Sequence, residues 1–153
     1  MTIYRLSIEQ YKDDISGTGA KLYGGRWNTA GIPVLYTTEN ISLAVLEIIV
    51  RTDINLIPLH YYLLKIELPD TAGITIINKT KLKKEWKNDV SYTQWIGNEF
   101  LKSNKSLVLK IPSAIVDEEH NFIINTEHSE FKKLKITSSK KFSFDRRLYV
   151  KNE

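Results

Sequence analysis

Glu47 stands inside the run L-A-V-L-E-I-I-V, residues 43–50. A carboxylate in such company costs several kcal/mol to desolvate unless it is paired or protonated. Two uses fit the spacing. On a helix Glu47 reaches Arg51 at i+4, so it can lie on a solvated edge and pair there. Alternatively it sits at the floor of a cleft, where a perturbed acid serves catalysis. Arg26 lies in G-G-R-W-N, residues 24–28. The adjoining Gly24 and Gly25 let the backbone turn or approach a ligand closely. The planar guanidinium suits two-point contact with phosphate, and stacking on Trp27 is an equally natural use for it. A nucleotide P-loop is excluded, because G-x-x-x-x-G-K-[ST] is absent.

Tyr36 falls within P-V-L-Y-T, residues 33–37, where the plain role is a half-buried strand tyrosine with a satisfied hydroxyl. Ser113 follows Pro112 just after a strand-like stretch. No His–Asp pattern marks it as a nucleophile, so it reads as a hydrogen-bonding residue. His60, His120 and His128 show no metal-ligand spacing, and there is no cysteine. A metal site and a disulfide framework are therefore not expected.

The elements that must position these residues are short. Strands are expected at Ile3–Leu6, Pro33–Thr37, Tyr61–Leu68, Ile74–Ile77, Leu107–Ile111, Phe122–Ile124 and Phe131–Ile136. Ser16 to Gly25 holds four of the seven glycines and reads as irregular. A helix capped by Thr38 or Asn40 runs to about Arg51, apolar enough to be buried on more than one face, and a second covers Ser91–Lys102. This irregular alternation argues for one α+β domain over residues 1–153, with a mixed and mainly antiparallel sheet.

Apolar residues make up 42% and charged ones 26% of the 153 residues, which suits a packed globular chain. The net charge of +4, from 22 basic and 18 acidic residues, is too small to argue nucleic acid by itself. Its basic runs, K-T-K-L-K-K-E-W-K (79–87) and K-K-L-K-I-T-S-S-K-K (132–141), read as solvated faces, with an anionic partner as the alternative. Trp86, Phe131 and Phe142 beside them would suit a less favoured reading as an RNA-binding or RNA-cleaving toxin. No stretch approaches the roughly 20 apolar residues of a membrane span. The opening M-T-I-Y-R-L-S-I-E-Q-Y-K-D-D lacks a secretory pattern, and a cytoplasmic location is expected.

Taken together, the segments resemble the RES domain, a family named for an arginine, a glutamate and a serine. Residues 17–37, G-T-G-A-K-L-Y-G-G-R-W-N-T-A-G-I-P-V-L-Y-T, are similar to its opening motif, and L-A-V-L-E to its glutamate helix. T-Q-W-I-G-N-E-F-L (93–101), V-L-K-I-P-S-A-I-V (108–116), N-F-I-I-N (121–125) and F-S-F-D-R-R-L (142–148) follow in the family order. Thr126, Phe100 and Arg51 stand where the family commonly has proline, tryptophan and histidine.

The resemblance implies a fold like that of the diphtheria-type ADP-ribosyltransferases. It also implies a bacterial toxin paired with an Xre-type helix-turn-helix antitoxin. The reaction implied is cleavage of the nicotinamide–ribose bond of NAD+, by hydrolysis or with phosphate as co-substrate; the alternative is ADP-ribosyl transfer to a protein. NAD+ is then a substrate and no cofactor is required. Glu47, Arg26 and Tyr36 are the implied catalytic residues. Ser113, Gly24, Gly25 and Asn125 join Arg26 and Tyr36 in binding substrate, the glycine amides assisting Arg26 at the diphosphate. The antitoxin would cover the cleft, toxin protomers could pair within the complex, and no direct nucleic-acid or membrane contact is implied.

Overall fold

The computed structural model describes residues 1–53, 55–57 and 60–150. Seven strands form one sheet: β1 (Thr2–Ile8), β2 (Leu35–Thr38), β3 (Tyr61–Glu67), β4 (Ile74–Ile76), β5 (Val108–Pro112), β6 (His120–Ile124) and β7 (Lys135–Phe142). Their order is β4-β5-β6-β2-β1-β3-β7. Only β4 and β5 run parallel, so the sheet is mixed and mainly antiparallel, as expected. Among the described residues three α-helices accompany it: α1 (Thr18–Tyr23), α2 (Ile41–Ile49) and α3 (Val90–Ser103).

Alternation along the strands divides the core between the two faces of the sheet. Phe122 and Ile124 of β6 point with Ile3, Leu35, Leu64 and Ile66 to one face. Ile123 points with Leu109 and Ile111 to the other, where Trp27, Trp86, Phe100 and Leu101 cover them. A third cluster, Leu6, Ala44, Ile57, Tyr61 and Phe144, lies where α2 packs.

The middle of the sheet is its weak seam. β1 pairs with β3 at seven positions and β2 with β6 at four, yet β1 meets β2 at Tyr4↔Thr38 alone. The two strands diverge from there. The guanidinium of Arg5 enters the gap, its Nη1 donating to the Tyr36 carbonyl at 3.1 Å in place of a strand amide. Helix α2 packs on both β1 and β2 and so spans the seam.

Several expectations need correction. Residues 16–25 are not irregular throughout, because they hold α1, entered through an αL Gly17 and closed by Gly24 at φ 71°. Local bonds start it, with the Ser16 amide donating to Asp14 Oδ1 and the Thr18 amide to Ser16 Oγ. Phe131–Ile136 is not one strand; Phe131–Lys133 form a 3-10 turn and β7 begins at Lys135. The apolar run of α2 stops at Ile49, and only Leu43 and Ala44 are fully buried. Its composition overstated its burial: Val45, Leu46, Ile48 and Ile49 are only partly covered and Ser42 and Val50 are exposed. In β7, Lys135, Lys140 and Lys141 are exposed, so this basic run is a solvated sheet edge.

Helix α3 starts from Asp89, whose carboxylate accepts the Tyr92 amide at 3.0 Å. Its inner face approaches the 24–29 loop closely at Gly97, where a Cβ would stand 1.7 Å from the Trp27 carbonyl oxygen. Gly97→Ala therefore lowers unfolding stability in urea by about 2 kcal/mol or more. Gly19→Ala in α1, with open space around it, is neutral or stabilises by up to about 1 kcal/mol. Equal losses at both positions would contradict this packing.

Candidate active site

The loop carrying Arg26 is built around Asn28, which is wholly buried. Its Nδ2 donates to the carbonyls of Ala20, Thr29 and Ile32 at 2.9, 3.2 and 3.1 Å. Its Oδ1 accepts the Tyr36 hydroxyl at 2.7 Å, and that hydroxyl oxygen accepts the Trp27 amide at 3.0 Å. From α3, Thr93 Oγ1 donates to the Arg26 carbonyl at 2.5 Å, and Gln94 Nε2 to those of Gly25 and Asn28. Every bend of the loop is thus pinned by a side chain.

The glycines of this loop have structural duties. The Gly24 amide donates to Ala20 O at 2.8 Å and the Gly25 amide to Asn28 O at 2.9 Å. Both amides are therefore engaged within the turn, contrary to the expectation that they reach towards a diphosphate. Gly25 is required by space, since a Cβ there would stand 2.6 Å from Tyr36 Oη. Arg26 is half-buried, and its Nη1 donates to the Lys87 carbonyl at 2.8 Å. Among the described residues this is its one side-chain hydrogen bond, so most of its five-donor fork is unengaged. Trp27 packs against Trp86 at 5.8 Å between ring centroids, so the loop's anchor is the indole pair rather than an Arg26–Trp27 stack. Lys87 in turn pairs with Asp117, tying this wall to the segment after β5.

Burial pushes the Tyr36 phenol well above its ordinary pKa; its Trp27 bond and the charges of Arg51 and Arg26 oppose the shift. The phenol is neutral and fully used, so it holds the Arg26 loop. Arg5 lies on the far side of the same backbone. Burial, then the like charge of Arg51, lowers its pKa, while Asp14 opposes. Its Nε is covered and has no partner among the described residues. Arg5 thus meets the Tyr36 carbonyl directly, and the charges of Arg26 and Arg51 act on its phenol from further off. Such a concentration of charge attracts anions.

Glu47 is half-buried on α2, and its Oε1 accepts from Asn121 Nδ2 at 2.8 Å. The expected i+4 link to Arg51 exists in another form, with Arg51 Nε donating to the Glu47 backbone carbonyl at 2.9 Å. This leaves the carboxylate unpaired by that arginine. Asn121 faces Thr38 across β6–β2, and Thr38 faces Tyr4 across the seam. The glutamate is therefore held directly beside the divergence of β1 and β2. The Asn121 Oδ1 is covered and has no partner among the described residues, an arrangement that costs about 1–3 kcal/mol.

Ser113 is completely buried. Its Oγ accepts the amides of Ile115 and Val116 at 3.0 and 3.1 Å, and its own amide donates to Glu119 O. The structure places it inside the turn after β5, shaping the segment that carries Asp117. Asn125, 2% exposed, donates to Asn104 Oδ1 at 2.9 Å and accepts the Glu127 amide at 3.0 Å. It joins the end of β6 to the end of α3. Neither side chain is presented beside Glu47. A hollow of about 310 Å³ near His120 is lined by Lys79, Asp117 and Glu118 among others, but none of Arg26, Tyr36 and Glu47 borders it.

Asn28, Asn121, Arg5, Thr93 and Gln94 were not read from the sequence as site-building residues. Arg5 carried the same signal as Glu47, a charge within an apolar stretch. The asparagines carried none, because their partners are distant in sequence.

The RES domain family model matches residues 2–146. The chain belongs to the RES family. A "Toxin Res" of Photorhabdus laumondii is 38% identical over 147 residues, covering 94% of this chain and 93% of that protein. A "Prs ADP-ribosylating toxin" of Sphingobium is 35% identical over 143 residues, covering 91% and 89%. In fold, the chain resembles the crystal structure of the M. tuberculosis MbcT–MbcA toxin–antitoxin complex. The TM-score is 0.75 at 18% identity, covering 93% of this chain and 84% of the other. The arginine, glutamate and serine that carry the sequence resemblance lie apart in structure, Arg26 on the pinned loop, Glu47 on the seam helix and Ser113 in the buried turn.

Tyr36→Phe strands the Trp27 amide and Asn28 Oδ1, and is expected to cost about 1–3 kcal/mol in chemical denaturation. Because the folded phenol titrates above the unfolded one, its contribution is complete below pH 10 and declines as pH rises beyond. Stability curves of wild type and Tyr36→Phe should converge above pH 10; a constant gap would contradict the assignment.

Proposed function

We propose that the chain is a toxin of a toxin–antitoxin pair that cleaves the nicotinamide–ribose bond of NAD+. The observation that carries this reading is the carboxylate of Glu47, fixed by Asn121 at the sheet seam beside a gathering of arginines. Nicotinamide in NAD+ is already a cationic leaving group, so its departure needs little acid assistance. The glycosidic bond breaks with its electron pair going to the ring nitrogen, and positive charge develops on the ribose. Glu47 meets that charge with a preorganised carboxylate. Arg26 holds the diphosphate with its unengaged donors, and Arg5 and Arg51 add positive field. Water or phosphate then bonds to the ribose carbon and loses a proton, giving ADP-ribose or its 1″-phosphate.

In this reading Tyr36 and Ser113 act through structure. Tyr36 fixes the Arg26 loop, and Ser113 shapes the opposite segment. Gly24, Gly25 and Asn125 likewise set the backbone. NAD+ is a substrate, and no resident cofactor is required. An antitoxin, of the Xre helix-turn-helix type implied by the sequence, covers the seam and silences it; the toxin–antitoxin complex in the similar fold supports such a partner. The setting is the cytoplasm, where NAD+ is abundant, and a toxin homodimer within the complex belongs to the same proposal.

The second reading is transfer of ADP-ribose to a protein. It is favoured by the Sphingobium relative, whose name describes an ADP-ribosylating toxin. Both readings use Glu47 in the same way and differ only in the acceptor.

Purified protein incubated with NAD+ should release nicotinamide, faster with phosphate if that is the acceptor. Glu47→Gln keeps the shape and removes the charge, and should lower kcat about 100-fold or more. Arg26→Ala should raise KM for NAD+ more than it lowers kcat. Wild type that leaves NAD+ intact under both conditions refutes cleavage. A labelled protein band from labelled NAD+ in extract would select the transfer reading.

A further inference from the structure

Two buried side-chain polar atoms lack a partner among the described residues: Arg5 Nε and Asn121 Oδ1. They belong to the two strands that flank β2 at its crossing. Asn121 faces Thr38, Thr38 faces Tyr4, and Arg5 is the next residue of β1. The amide orientation of Asn121 is dictated by charge, because only Nδ2 can face the Glu47 carboxylate at 2.8 Å. Its Oδ1 must therefore point away from Glu47 and accept from something else. Asn121 as a whole is half-buried, while this oxygen is itself covered.

We infer that Asn121 is a substrate-binding residue that reads a hydroxyl of the ribose being cleaved. Its Nδ2 holds Glu47 in place while Oδ1 accepts the hydroxyl proton. This rests on the NAD+ reading of the seam and adds the residue that registers the sugar against the carboxylate. A ribose hydroxyl is the matching chemistry because it is a neutral donor adjacent to the carbon where charge develops. The diphosphate of NAD+ is doubly esterified and ionised at neutral pH, so it offers no proton to an amide oxygen, and the nicotinamide amide is carried by the departing group.

The test compares NAD+ with analogues lacking the 2′- or the 3′-hydroxyl of the nicotinamide ribose. Wild type should cleave at least one analogue about 10- to 100-fold less efficiently in kcat/KM. Asn121→Ala should erase most of that discrimination, and Asn121→Asp, which keeps the acceptor and loses the donor to Glu47, should retain it at a lower overall rate. Asn121→Thr suits the strand and replaces alanine should the latter not fold by circular dichroism. Calorimetry with ADP-ribose gives a readout independent of turnover, and its Kd should weaken about 5- to 20-fold in Asn121→Ala. Unchanged discrimination with unchanged ADP-ribose affinity overturns the inference while leaving NAD+ cleavage standing. Weakened ADP-ribose binding in a protein that leaves NAD+ intact overturns the cleavage reading and keeps the ribose contact. Wild type that neither cleaves NAD+ nor binds ADP-ribose overturns both.

Discussion

A single pair of facing residues, Tyr4 and Thr38, joins the two halves of the sheet. Backbone groups that leave a ladder must find other partners or stay wet. Here the Tyr36 carbonyl is met by the Arg5 guanidinium, so the parting of the strands brings a positive charge into the middle of the sheet. Helix α2 lies over the same place and contributes Glu47. A cation from one half and an anion from the helix above it are consequences of one topological choice. Had β1 and β2 paired along their full length, neither would have a reason to be there.

The opposite wall is rigid for a different reason. Residues 24–29 form no strand or helix of their own, yet their carbonyls are met by Asn28, Thr93 and Gln94. Side-chain amides and hydroxyls thus do for this loop what ladders do for strands. Tyr36 connects that network to β2, which links the place of Arg26 to the sheet. The close approach at Gly97 brings α3 near enough for the network to close. Preorganisation of this kind is what lets a single guanidinium serve as a fixed anchor.

Of the three residues that carry the sequence resemblance, Arg26 and Glu47 are half-buried and Ser113 is wholly buried. Ser113 is satisfied by the amides of its own turn, and the acidic residue that turn carries, Asp117, pairs with Lys87 beside the Arg26 anchor. A buried serine can therefore matter to the site by setting the course of the chain between β5 and β6. Asn121, two residues on from Glu119, is the residue whose side chain meets the Glu47 carboxylate.

Much of the layout was legible in the linear chain. Strand alternation, the body of α3 and the mixed sheet follow from local periodicity, and Glu47 drew notice because a charge in an apolar run is costly anywhere. The short α1 was obscured by its glycines, and β7 was misplaced because a 3-10 turn and a strand share the same apolar and basic residues. What tertiary structure alone decided was partnership. Asn28 with Tyr36, Asn121 with Glu47 and Arg5 with the Tyr36 carbonyl join residues 8, 74 and 31 positions apart. Side-chain type states how many hydrogen bonds a group needs; only the packed fold determines which atoms come within 3 Å or so to supply them.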